Sequence, residues 1–74
     1  MGITEDMTDD LAKDTLAVAE KANDQTIVDE ISEVLGNTST TAQEAYLTAV
    51  RIRRAVKRAR EALSEFDGKP EPKS

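Results

Sequence analysis

Six of the ten residues from 51 to 60 are basic: Arg51, Arg53, Arg54, Lys57, Arg58 and Arg60. A guanidinium is a planar fork of donors that meets a carboxylate or a phosphate at two points. The run therefore suits two chemistries, pairing with carboxylates of a protein and contact with phosphates of a nucleic acid. The second is the lesser expectation. No aromatic residue interleaves the arginines for base stacking. The net charge of −5 also opposes long-range attraction to a polyanion.

Other chemistry is thinly supplied. The chain has no cysteine and no histidine. That removes disulfides, thiolate ligands, the commonest general base and the commonest nitrogen ligand together. Asp29, Glu30 and Glu33 lie within one helical turn, a spacing that reads as a solvated acidic face. No EF-hand loop accompanies them, and a helical di-metal site would want Glu-x-x-His. Serine, tyrosine and lysine occur in no catalytic constellation. We expect no catalytic residue, no metal, no cofactor and no enzyme activity.

These residues must be held by a chain of 74 residues, enough for one small domain. At this size a single core is marginal, and oligomerisation or docking is the staple that remains without disulfide or metal. Aromatics are limited to Tyr46 and Phe66, and 34% of residues are charged. Abundant alanine, leucine and charge with few turn formers points to an all-α fold. No apolar run is long enough to span a bilayer. The acidic first residues lack a signal-peptide core, and the missing cysteine agrees with a reducing cytoplasm, so a cytoplasmic location is expected.

Apolar periodicity predicts helices over about 8–22, 25–35 and 41–66, with a frayed 1–7 and a disordered tail at 67–74. Thr8 can cap the first helix, whose stripe is Leu11, Val18 and Ala22 with Leu16 and Ala19 beside it. Asn23-Asp24 interrupts it. Thr26 with Asp29 resembles a capping box before a stronger stripe of Ile27, Val28, Ile31, Val34 and Leu35. Gly36 should end that helix in a left-handed conformation. Thr40 with Gln43 and Thr41 with Glu44 offer capping boxes for the last helix, and Asp67-Gly68 stops it.

Along the last helix, Ala42, Ala45, Ala49, Ile52, Val56, Ala59, Leu63 and Phe66 form an unbroken heptad seam. Ala55 and Ala62 widen it. Tyr46, Leu47 and Val50 project from the other side, so the first half is apolar nearly all round. If three helices wrap together, this patch is core; in a two-armed hairpin it is a dimer interface. Residues 1–35 carry ten acids and two bases, a balance of −8, against +3 for residues 36–66. Folded antiparallel, the acidic arm would bring Glu20 and Asp24 near the arginines.

The expectation is a helical hairpin or small three-helix bundle, dimeric in the favoured case. It acts without catalysis as a regulator, inhibitor or adaptor through a protein partner. Arg51, Arg53, Arg54, Lys57, Arg58 and Arg60 supply the polar contact, and Tyr46, Leu47 and Val50 the apolar or dimer contact. A small nucleic-acid-associated regulator, such as one of a mobile element, is the alternative.

Overall fold

A computed structural model describes residues 3–67. Three helices follow one another: α1 (Ile3–Ala22), α2 (Thr26–Thr38) and α3 (Thr40–Asp67). Each packs on the other two, so of the two expected architectures the chain adopts the three-helix bundle. The tail expected to be disordered lies outside the described residues from 68 on.

Helix α1 starts five residues earlier than expected. Glu5 and Asp6 occupy its first turn, where carboxylates favour the positive end of the helix dipole. Thr8, read as a cap, is instead buried within the helix, and its hydroxyl donates to the Glu5 carbonyl (3.3 Å). The inward stripe is Thr8, Ala12, Thr15 and Ala19, with Leu11 and Leu16 packed at its flanks. Val18 and Ala22, expected on it, are exposed. Small side chains let α1 approach closely. The buried Thr15 hydroxyl stays satisfied by donating to the Leu11 carbonyl one turn back (2.7 Å).

The interruption falls where expected, at Asn23-Asp24. Asn23 is left-handed, with φ 55°. The Asp24 amide donates to the Ala19 carbonyl (2.9 Å) and the Asn23 amide to Glu20 (3.1 Å), the two bonds of a Schellman terminator. Asp24 then organises the start of α2: its Oδ1 accepts from the Thr26 amide (3.0 Å) and the Thr26 hydroxyl (2.6 Å). These bonds lower the Asp24 pKa, and they stand in place of the Thr26–Asp29 box. On α2, Val28 and Ser32 are buried and Ile27, Ile31 and Leu35 pack on the core, whereas Val34 turns outward.

Gly36 does not end α2. It is helical, with no positive φ, and α2 continues to Thr38. Its size serves a close approach: a Cβ there would lie 2.6 Å from Gln43 Nε2. Gln43 in turn is not a capping residue. Its amide nitrogen crosses to α2 and donates to the Ser32 carbonyl (3.0 Å) and hydroxyl (3.3 Å). Ser39 alone joins the helices. Its amide closes α2 on Leu35 (2.8 Å), and its hydroxyl caps α3 by accepting from the Ala42 amide (3.0 Å).

The core is Ala12, Ala19, Val28, Tyr46, Ala49 and Val50, and among the described residues Tyr46 is the one large fully buried side chain. Gln43 meeting Ser32 and Tyr46 meeting Val28 make α2 and α3 antiparallel. Asp9, Thr15 and Glu20 meet Arg53, Tyr46 and Lys57, so α1 lies against the middle of α3. At 1.5 Å per residue, α3 is about 42 Å long and α2 about 20 Å. The longest helix therefore outruns the bundle, and every residue from 54 to 67 is exposed.

Candidate interaction surface

The core side of α3 runs through Tyr46, Ala49 and Val50 and stops where that side becomes Arg53. Continued at helical spacing it meets Lys57, Arg60 and Ser64, which offer α1 and α2 nothing apolar. This is why the bundle closes half-way along α3. The predicted seam lies about a quarter turn to one side of the true core side. In the first half it contributes buried Ala49 and half-buried Ala42 and Ala45. In the second half it is uncovered: Ile52 is 57% exposed, Val56 46%, Leu63 62% and Phe66 71%.

Tyr46, Leu47 and Val50 sit elsewhere than a partner surface requires. Tyr46 and Val50 are buried and Leu47 packs half-buried against them, so the patch is the chain's own core. The Tyr46 hydroxyl donates to the Val28 carbonyl (2.9 Å). Burial raises the phenol's pKa, and a hydrogen bond with Thr15 partly opposes that. One side chain thus ties α3 to α2 beside α1.

The basic residues divide into two groups. Arg53 is gripped by Asp9 through two bonds, Nε to Oδ1 at 2.8 Å and Nη2 to Oδ2 at 2.7 Å. Those bonds are the main reason the Asp9 pKa is lowered and the Arg53 pKa raised. Arg54 donates to Gln25 Oε1 (2.9 Å), and Lys57 lies 3.7 Å from Glu20 in an exposed pair. Of the two acids expected beside the run, Glu20 arrives and Asp24 is engaged with Thr26. Asp9, Gln25 and Gln43 were not anticipated as partners, because each bond depends on how three helices dock. Among the described residues, Arg51, Arg58 and Arg60 make no ion pair.

What results is an exposed amphipathic arm. Ile52, Val56, Ala59, Leu63 and Phe66 form its apolar stripe, with Arg53 and Arg60 along one edge and Ala55 and Ala62 along the other. Asp29, Glu30 and Glu33 are exposed on α2. Among the described residues no cluster of three or more metal-ligating side chains occurs, and no helix is long and apolar enough to cross a membrane. No protein-family model, curated protein or solved structure matches this chain.

Proposed function

We propose that the protein is a non-enzymatic, cytoplasmic interaction protein, a regulator, inhibitor or adaptor that meets a protein partner through the projecting half of α3. The observation that carries the reading is the uncovered stripe Ile52, Val56, Leu63 and Phe66 beside arginines without ion pairs. Contiguous exposed apolar surface rimmed by charge marks interaction sites. The basic edge would orient the approach more than supply affinity.

A benzophenone amino acid in place of Leu63 tests this in the protein's own cells, with the same group in place of Glu30 as the control. Protein adducts are expected at 63 and not at 30, and Arg58→Glu with Arg60→Glu should weaken them. Equal labelling at both sites, or none, overturns the reading. A small nucleic-acid-associated regulator is the second reading, favoured by the same unpaired Arg51, Arg58 and Arg60. Binding to duplex DNA that falls steeply with salt would support it, and no binding at low salt would sink it.

A further inference from the structure

We infer that Ser64 is a phosphorylation site, the substrate of a protein kinase with a cationic cleft, and that its phosphate turns off docking through the projecting half of α3. The effect on docking rests on reading that half as an interaction surface; the modification itself does not. Ser64 is the one hydroxyl-bearing residue from 49 to 67. It is exposed, like every residue from 54 to 67. Charge along the arm divides just before it. The six bases of residues 51–67 all lie at 51–60, and the three acids all gather around Ser64: Glu61 three residues before it, Glu65 one after and Asp67 three after. Carboxylates around a lone hydroxyl complement an enzyme that draws its substrate with lysine and arginine. The hydroxyl must leave the helical turn to enter a catalytic cleft, and a helix end of this length outside the core opens cheaply.

In the transfer, Ser64 Oγ attacks the γ-phosphorus of a nucleoside triphosphate. A P–O bond forms as the bond to the β–γ bridging oxygen breaks, the diphosphate leaves, and the hydroxyl proton passes to the kinase's base. The product adds about −2 at neutral pH, which takes residues 51–67 from +3 to about +1. It also lands among cations, because Ser64 lines one open groove with Arg53, Lys57 and Arg60. Arg53 and Lys57 already face Asp9 and Glu20. Arg60, one turn before Ser64, makes no ion pair among the described residues and is the cation the phosphate takes. That withdraws an arginine from the edge of the apolar stripe, where it would orient a partner. The phosphate further sits in the last turn of α3, between Glu61 and Asp67. Like charge and the negative end of the helix both oppose helix there, so the turn that presents Leu63 and Phe66 is weakened.

Mass spectrometry of the whole chain, purified from its own cells with phosphatases inhibited, tests the site. One phosphate on Ser64 is expected, lost in Ser64→Ala and sharply reduced in Glu65→Gln with Asp67→Asn. All three residues lie outside the core, so the fold should hold. A benzophenone amino acid in place of Val56, on the stripe but clear of the acids around Ser64, tests the consequence. Protein adducts should be stronger in Ser64→Ala than in the wild type, and weaker in Ser64→Asp than in Ser64→Ala by about tenfold, the size of one lost charge-assisted contact.

A chain without phosphate on Ser64 overturns the inference, and occupancy indifferent to Glu65 and Asp67 overturns the kind of enzyme assigned. Phosphate on Ser64 with equal adducts in Ser64→Ala and Ser64→Asp overturns the control of docking. If Ser64 carries phosphate while the probe at 56 captures nothing in any variant, the site stands and the interaction surface falls.

Discussion

Asp9 and Arg53 clasp each other where the core ends, two parallel bonds of 2.8 and 2.7 Å joining the N-terminal half of α1 to the middle of α3. The pair closes the core, and beyond the Lys57–Glu20 pair α3 projects from the bundle. Because the Asp9 pKa is lowered in the fold, chiefly by the Arg53 hydrogen bond, the ionised form favours the folded state. Its contribution is present above the unfolded carboxyl value, about 3.9, and is lost as pH falls through the lower folded value. Asp9→Asn should therefore lower Tm at neutral pH, and the gap to wild type should close as pH falls below about 4. A gap that stays constant into acid would show that the pair is not the cause. Arg53→Lys keeps the charge and loses the fork, so it should recover part of the gap.

Tyr46 makes a second prediction. Tyr46→Phe removes one hydrogen bond to the Val28 carbonyl and leaves the packing, a cost of about 1 kcal/mol in urea unfolding. Tyr46→Ala empties the centre of a core that has no other large fully buried side chain among the described residues, a cost of about 3–5 kcal/mol. That approaches the whole stability of a domain this small. An exposed site, such as an outward helix position, would show neither the size nor the ratio of these losses.

Gly36 and Gln43 should be coupled. Alanine in place of a helical glycine ordinarily stabilises by about 1 kcal/mol. Here the new Cβ would sit 2.6 Å from Gln43 Nε2 and 2.8 Å from its Cδ, so Gln43 must give up Ser32. Gly36→Ala alone should gain little or lose. In a Gln43→Ala background it should gain in full, with a coupling of about 1 kcal/mol in the double-mutant cycle. Additive effects would mean that Gly36 is not kept small by Gln43.

The three helices and the break between the first two are legible in the sequence because Asn23-Asp24 carries its own turn chemistry. The facing of α1 is not. Val18 is more apolar than Thr8 or Thr15, yet threonine can bury itself by bonding its own backbone, and a small side chain allows closer packing. Gly36 is ambiguous for a related reason: a glycine suited to a left-handed turn looks the same as one left small for a neighbour. The Asp9–Arg53 clasp spans 44 positions and exists only once α1 docks on α3. Even spacing along the seam likewise does not say which half of it the chain covers. The basic run is legible; its division into held and unpaired arginines follows from docking.

The projecting half of α3 should be the least stable helix in the molecule. Every residue from 54 onward is exposed, tied to the bundle through the exposed Arg54–Gln25 bond and Lys57–Glu20 pair, and an isolated helix of the remaining length is marginal in water. Arg53 with Lys57, and Arg54 with Arg58, stack like charges one turn apart, which weakens it further. Hydrogen exchange in dilute solution should therefore grade along one continuous helix. Amides near Tyr46 and Val50 should open only with global unfolding, and those from about 58 to 66 should exchange close to the unfolded rate. Uniform protection along α3 in a demonstrated monomer would contradict this. Protection of the arm that rises with protein concentration, while the core amides stay unchanged, would show that another molecule covers the stripe.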